Sequence, residues 1–379
     1  MNIVHFHNGF GGGVLTVIRN LLQYRQHPEW KQQVIYTLDK KKFSAFSPML
    51  PEDVKQKTFY YSGNWNFYYT AKKLSKLLPA KDTILIAHDW LELAMISNRG
   101  LNYPVVQFLH GDYDYYYKLA QRNEAWVDSF ICVSASIADE LKRRIPERSN
   151  DIQYLRFPVP EVNGIREDSS TPELVFAGRC DEAKGYHLLP LIDAALQQKN
   201  VQAHWHIAGP GSELSQVQQQ WKQSKVHFYG NLPPKELTAL LLKATAFILP
   251  SMAEGMPVSV VEAMKAGAIP VVNDINGGLQ ELVTNDVTGY RIPNNDPLIF
   301  AECIAAITAD AEKRKQLSAA AVSFANTYFD PVQNTKLFED CFLQASRKSK
   351  KKKAFKTTGS RLDQPYLPNL LVKTIRSLF

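Results

Sequence analysis

The stretch Phe247–Gly267 reads FILPSMAEGMPVSVVEAMKAG, and its reading decides the fold. Phe247, Ile248 and Leu249 form a short apolar run, as expected of a strand buried in a parallel sheet. Pro250 and Ser251 end it, and a loop with one acid and one glycine runs to Met256. Pro257 stands where a first helical residue should be, with its φ preset and no amide to waste. Val258–Ala266 follows at helical spacing and Gly267 stops it. The reading is strand, tight loop, helix, with Glu254 in the loop and Glu262 in the helix.

Such a junction leaves backbone N–H groups unpaired at one spot, with the positive end of the helix dipole behind them. A phosphate is the natural guest. Glu254 can accept hydrogen bonds from a group beyond the phosphate, and Glu262 can reach vicinal hydroxyls such as those of a ribose. The same spacing also fits a loop acid and a solvated helix acid, and spacing alone leaves both readings open.

The wording is more specific. EGMPVSVVEAMKAGAIPVV resembles the E-x7-E segment of the retaining glycosyltransferases of family 4. In that family the first Glu contacts the donor sugar and the second the ribose, roles the resemblance assigns to Glu254 and Glu262. Gly255, Met256, Pro257 and Val258 belong to the same donor-binding loop.

Length and composition set the frame. The 379 residues suffice for two domains, and at 45% hydrophobic residues each can bury a core. Cys132, Cys180, Cys303 and Cys341 are far apart and form no C-x-x-C, so they read as buried thiols in a reducing compartment rather than a disulfide frame or zinc site. The N-terminus enters a strand-like NIVHFH without a basic, apolar leader, and no run is long enough to span a membrane, so a cytoplasmic protein without a signal peptide is expected. The net charge of +7 is unevenly placed. Residues 347–379 hold ten Lys or Arg and one acid, while the rest holds 34 basic and 36 acidic residues. What the charge attracts, it attracts at the tail.

From the start, Ile3–His7 reads as a strand, followed by Gly9-Phe10-Gly11-Gly12-Gly13 and a helix over Val14–Tyr24. Glycines there let backbone approach a ligand, but the pattern is no GxGxxG and a dinucleotide site is weakly supported. In the family a Gly-Gly loop closes over the donor phosphates, and Gly12 and Gly13 are the matching pair. Val34–Leu38, Thr83–Ala87, Val105–Leu109 and Phe130–Val133 read as further strands. Phe59–Tyr69 (FYYSGNWNFYY) is rich in aromatics and fits core, a sugar-stacking surface or a membrane interface. His88 and His110 each stand at a strand's carboxyl end, where open parallel sheets bind ligands. The family often carries a His near the transferred sugar, and that role falls on His110. Asp112-Tyr113-Asp114 has the form of a metal-holding D-x-D, which a different glycosyltransferase architecture uses; here it lies mid-chain in a two-half α/β pattern. Asp151–Pro160 reads as a crossing segment and Gly164–Pro172 as a linker.

The second half restarts with Leu174–Ala177 and then GRCDEAKG. Arg179 and Lys184, five apart in that loop, can reach one pyrophosphate and stabilise its departure in place of a metal. VFAGRCDEAKG resembles the family's F-x-G-R…K-G segment, where this pair binds the donor diphosphate. His204–Ala208 leads into Gly209, which matches a family strand-turn, and the family places the nucleobase near Leu232. Gly277-Gly278 with Glu281 matches a Gly-Gly-x-x-E turn. Phe300–Tyr328 reads as two helices and Pro331–Ser346 as one that crosses back to the first domain. The basic run Lys348–Lys356 leads through a linker over Thr357–Pro365 to LPNLLVKTIRSLF, in which Leu371, Ile375, Leu378 and Phe379 share one helical face.

The resemblance covers about residues 1–346. It implies an α/β chain of GT-B architecture, two facing Rossmann-like domains with an interdomain cleft, plus a basic tail with an amphipathic helix. The expected boundaries are 1–165 (acceptor domain), 166–330 (donor domain), 331–346 (crossover helix) and 347–379 (tail). The implied reaction moves a sugar from a UDP- or GDP-sugar to a hydroxyl of a glycan or lipid-linked acceptor. It retains configuration and needs no cofactor or metal. His110, Glu254, Arg179 and Lys184 are the catalytic candidates. The donor-binding set adds Gly12, Gly13, Gly209, Leu232, Glu262 and the Gly255–Val258 loop. A lipopolysaccharide, capsule or glycolipid pathway is implied, with the tail holding the enzyme peripherally on the anionic inner face of the cytoplasmic membrane. A nucleic-acid partner is not expected, since the basic run has little aromatic interleaving. A nucleotide-sugar 2-epimerase of similar fold and a non-catalytic scaffold stay open as alternatives.

Overall fold

A computed structural model describes residues 1–9, 12–40, 49–167, 169–211, 214–221, 225–348 and 360–378. The chain divides into two compact units. Unit 1 comprises residues 1–133, 137–155 and 332–379; unit 2 comprises 134–136 and 156–331. The division falls upstream of the linker over Gly164–Pro172. Most of the basic run Lys348–Lys356, most of the loop Lys40–Pro51, and Phe10, Gly11 and Phe379 lie outside the described residues.

Unit 1 alternates β1 (Asn2–His7), α1 (Gly13–Gln23), β2 (Lys31–Asp39), β3 (Lys55–Tyr61), α2 (Phe67–Ser75), β4 (Thr83–Ala87), α3 (Trp90–Arg99), β5 (Val105–Leu109), α4 (Asp114–Asn123), β6 (Ser129–Cys132), α5 (Ala135–Arg144) and β7 (Ile152–Tyr154). Its seven strands run in the order β3-β2-β1-β4-β5-β6-β7, all parallel. Helices cover the faces, so the central strands TILIA and VVQFL are buried along their whole length. The aromatic stretch over Phe59–Tyr69 divides between β3, a turn and α2, with Phe67 in the core. The crossing segment over Asp151–Pro160 contains the edge strand β7, too short for periodicity to reveal.

Unit 2 repeats the scheme with β8 (Glu173–Ala177), α6 (Leu189–Gln198), β9 (His204–Ala208), α7 (Leu214–Gln220), β10 (Lys225–Gly230), α8 (Pro234–Lys243), β11 (Ala246–Leu249), α9 (Val258–Lys265), β12 (Ile269–Asn273), α10 (Gly278–Leu282), β13 (Tyr290–Ile292), α11 (Pro297–Ala309) and α12 (Ala311–Tyr328). Its parallel sheet has the order β10-β9-β8-β11-β12-β13. The strand, loop and helix expected over Phe247–Gly267 are β11 and α9. Pro257 caps α9 one position ahead of its first helical residue, and Gly267 closes it at φ 82°.

Helix α13 (Pro331–Arg347) belongs to unit 1 from Val332 onward, as does the tail helix α14 (Asn369–Arg376). The tail departs from its sequence reading in two respects. Ser360–Pro365 is not a free linker, because the Asp363 side chain is buried and hydrogen-bonded. The face of Leu371, Ile375 and Leu378 is not the one that packs on the body: Val372 is buried, while Leu371 and Leu378 are exposed. Polar groups at the two ends of the helix, Asn369 and Arg376, set its roll. All four cysteines are free thiols, and no helix among the described residues is long and apolar enough to cross a membrane.

Lys265, at the end of α9, brackets unit 2. Its buried Nζ donates to the carbonyls of Val159 (2.8 Å) and Phe329 (3.0 Å). Burial lowers its pKa to about 8. Lys265→Met is expected to lower stability by about 2–3 kcal/mol by leaving both carbonyls unsatisfied. The unfolded chain holds a proton that the folded chain lacks between pH 8 and 10.5, so wild-type stability should rise with pH across that window. Denaturant titrations at pH 8 and 10 check both effects, and the rise should shrink in the variant.

Candidate active site

In unit 2 the loops that follow β8, β11 and β12 at their carboxyl ends are tied together. Gly185 has φ 66°, and a Cβ there would stand 1.9 Å from the Pro250 carbonyl oxygen. Only glycine lets the Arg179–Gly185 loop meet the Pro250–Met256 loop so closely. Met252 N donates to Ala183 O (2.9 Å), Asn273 Nδ2 to Ser251 O (2.9 Å), and Asn295 Nδ2 to Pro250 O (2.7 Å). Asn273 and Asn295, both buried, escaped the sequence reading because no motif marks them. Gly278 N donates to Gly255 O (2.8 Å), which joins the Gly277-Gly278 turn to the same loop.

At the centre is Glu254, 7% exposed. Its Oε1 accepts from Lys184 Nζ (2.6 Å) and from Ser251 Oγ (2.7 Å). Both bonds fall on one oxygen, and Oε2 takes none from the described residues. The sequence reading sent Lys184 to a diphosphate; here it holds the carboxylate. Arg179 is different: its side chain is 58% exposed, with its guanidinium 3.4 Å from Asp181. Asp181 also accepts from the Lys184 amide (3.2 Å), which fixes the turn between the two cations. Helix α9 opens with no side-chain cap and no acid in its first turn, so its own side chains leave the leading amides uncapped. Met256 and Val258 are buried there, and Glu262 is half-buried on the same helix. Gly209, at φ 136°, continues β9 and donates to Gly230 O (2.6 Å). Leu232 follows β10 and is half-buried.

Unit 1 gathers neutral polar groups at the ends of three adjacent strands, β1, β4 and β5. His110 Nε2 lies 2.7 Å from His88 Nδ1, and His88 Nε2 lies 3.5 Å from His5 Nδ1. His7 Nδ1 accepts from the Gly9 amide (3.1 Å). Burial holds His5 and His110 down to about 3, His7 to about 4, and His88 well below the ordinary value. His110 is therefore an uncharged hydrogen-bonding group at neutral pH. Asp89 caps α3, accepts from Asn8 Nδ2 (2.8 Å), and receives the Tyr115 hydroxyl. Glu92 completes a capping box with Asp89, and burial together with the Asp89 charge raises it to about 8. The sequence reading placed His88 and His110 at strand ends but did not single out His7, which holds the equivalent position at the end of β1. Gly12 is the N-cap of α1 with φ 134°, and a Cβ added there would meet nothing within 4 Å, so backbone conformation alone calls for glycine; Gly13 opens the helix. Asp112 and Asp114 are engaged separately, Asp112 by the Tyr117 hydroxyl and Asp114 by Arg144 (2.6 Å) and Lys118 (2.6 Å).

Two family patterns match in succession. Glycosyltransferase Family 4 matches residues 11–155, and Glycosyl transferases group 1 matches residues 161–324. The chain is a glycosyltransferase whose first half matches family 4 and whose second half matches group 1. Glycogen synthase of Mycobacterium tuberculosis is 27% identical to this glycosyltransferase over 329 residues, covering 78% of this chain and 74% of the relative. A protein named for colanic acid biosynthesis, the glycosyltransferase WcaL of Escherichia coli, is 33% identical over 154 residues, 38% of each chain. Among solved structures, S. aureus TarM in complex with Fondaparinux, alpha-GlcNAc-glycerol and UDP superposes with TM-score 0.75 at 11% identity, covering 90% of this chain and 99% of that one. Anabaena HepE in complex with UDP-glucose gives 0.73 at 18% identity, covering 90% and 98%. The GT-B fold of this glycosyltransferase is thereby shown.

The histidine cluster dictates a pH response. Its folded pKa values lie below the unfolded 6.5, so the unfolded chain binds more protons on acidification. Stability is fully present above pH 6.5 and is lost as pH falls, by about 2 kcal/mol per histidine between pH 7 and 5. Glu92, raised in the folded state, works in the opposite direction but is outnumbered. Denaturant midpoints at pH 7 and 5 should show a net loss, and His88→Gln should reduce it by about one histidine's share.

Proposed function

We propose that this glycosyltransferase moves a sugar from a nucleotide-diphosphate sugar to a hydroxyl of a bacterial surface glycan or lipid-linked glycan, with retention of configuration and without a metal. UDP is favoured over GDP, because TarM and HepE were both solved with UDP-containing ligands. The observation that carries this reading is the knot of Lys184, Ser251 and Glu254 beside an uncapped α9, with Arg179 exposed on the same loop.

A departing nucleoside diphosphate develops negative charge. Arg179, Lys184 and the α9 amides are fixed positive groups that can stabilise it as a metal would. The Lys184 ammonium has three protons, enough to serve Glu254 and a phosphate oxygen together. Glu254, held on Oε1 by two donors, is a hydrogen-bond acceptor for sugar hydroxyls through Oε2 rather than a nucleophile. Front-face attack follows, with the leaving phosphate oxygen as base. Glu262 takes the ribose, and His110 and the Gly12-Gly13 turn carry the roles that the family resemblance assigns. An uncharged His110 orients a hydroxyl instead of donating a proton as an acid. The tail brings the enzyme to the anionic inner face of a membrane, at roughly 1 kcal/mol for each cation near the surface.

The test is a donor screen by thermal shift, with UDP, GDP, ADP and their sugars and no metal, followed by transfer assays. UDP should raise the melting temperature of the wild type, and Arg179→Ala should abolish the rise. Glu254→Gln should retain UDP binding while kcat falls by about 10²–10³-fold. A shift that requires Mn²⁺ would overturn metal independence, and an epimerised donor without transfer would overturn the reaction class.

A further inference from the structure

Helix α14 is held by its polar residues and leaves most of its apolar ones outside. At its N-terminal end, Asn369 Oδ1 accepts from the Asn66 amide (2.8 Å), while Asn66 Nδ2 donates to Gln364 O (2.8 Å) and Leu367 O (2.7 Å). At its C-terminal end, Arg376 donates to Trp65 O (2.5 Å), Ser360 Oγ (2.7 Å) and Asp363 Oδ2 (2.8 Å). Asp363 in turn accepts from the Phe67 amide (2.7 Å). The tail is latched to the turn that starts α2, and only Val372 of its apolar side chains is fully buried. Leu370 is 76% exposed, Leu371 48% and Leu378 77%. Burial of apolar surface is the usual reason for an amphipathic helix to dock; here a latch does the docking and the leucines stay available.

The turn to which the helix is latched has matching chemistry. The Trp65 and Tyr69 rings meet at 5.7 Å, Lys40 lies over Trp65 (5.4 Å) and Lys73 over Tyr69 (5.5 Å). Amphipathic rings, lysines and outward leucines, preceded in sequence by the lysine run 350–353, match the boundary of an anionic bilayer.

We infer that α14 is a lipid-inserting element: Leu370, Leu371 and Leu378 enter the headgroup boundary of an anionic leaflet, with Trp65 and Tyr69 beside them, while the Asp363–Arg376–Asn66 latch transmits that attachment to unit 1. This deepens the membrane reading above by assigning insertion, and not charge alone, to named side chains. It is independent of the transfer reaction.

The experiment is flotation of the full chain with vesicles of phosphatidylglycerol and phosphatidylcholine, against phosphatidylcholine alone. The wild type and the triple variant Leu370→Ser/Leu371→Ser/Leu378→Ser are compared, with a matched melting temperature confirming the fold. Partition of the triple variant into anionic vesicles should fall by roughly tenfold or more. Brominated lipid should quench wild-type tryptophan fluorescence, and Trp65→Phe should remove part of that quenching. Equal flotation of both proteins would overturn insertion and leave an electrostatic membrane contact standing. No flotation of the wild type would overturn both. A dimer that the triple variant dissolves would assign the leucines to a second copy of the chain and overturn the lipid assignment.

Discussion

A parallel strand cannot turn straight back into its neighbour; the chain must cross over a helix first. Every strand in both sheets therefore delivers its loop at the same edge, the carboxyl edge. In unit 2 that constraint brings Arg179, Gly209, Glu254 and the start of α9 to one edge although they span much of the unit's sequence. The carbonyl of Pro250 then presses against Gly185, and the Lys184–Glu254 bond closes the gap between two loops that the sheet has already placed side by side. An isolated surface ion pair contributes little, but this one is largely withdrawn from water and shares its oxygen with Ser251.

The two units use this edge for different chemistry. Unit 2 offers charge: two cations, a buried carboxylate and helix amides. Unit 1 offers neutral donors and acceptors, because burial keeps His5, His7, His88 and His110 unprotonated. A charged histidine cluster would repel itself and would require solvent. The neutral chain packs against Phe108 and Phe342 instead, with His88 4.7 Å from Phe108 and His5 edge-on to Phe342 at 6.2 Å. Directional hydrogen bonding without net charge suits the orientation of sugar hydroxyls, as charge suits a leaving diphosphate.

The architecture was legible because buried parallel strands are continuous apolar runs. TILIA and VVQFL could be bounded to the residue, and the strand-loop-helix at Phe247–Gly267 to within one position. The edge strands β7 and β13 were missed because three residues carry no period. At the site, residue types that motifs mark (Arg179, Lys184, Glu254, Glu262) were readable, whereas the contacts among them were not. Sequence spacing places Lys184 and Glu254 on separate loops and says nothing of the 2.6 Å between them. Asn273 and Asn295 were invisible for a related reason: an asparagine that satisfies a distant carbonyl looks, in sequence, like any loop asparagine.

The tail shows the limit of the helical wheel. The pattern in LPNLLVKTIRSLF reads as an amphipathic helix, but the wheel ranks faces by hydrophobicity alone and does not say which face the body holds. Asn369 and Arg376 lie nearly two turns apart and flank Val372, so latching both of them to the α2 turn fixes the roll of the helix about its axis. Satisfying Asp363, a buried carboxylate, with Arg376, the Phe67 amide and Ser360 outweighs hiding three leucines, because an unpaired buried charge costs far more than an exposed methyl surface. The direction in which those leucines face is thus a consequence of where one carboxylate is buried.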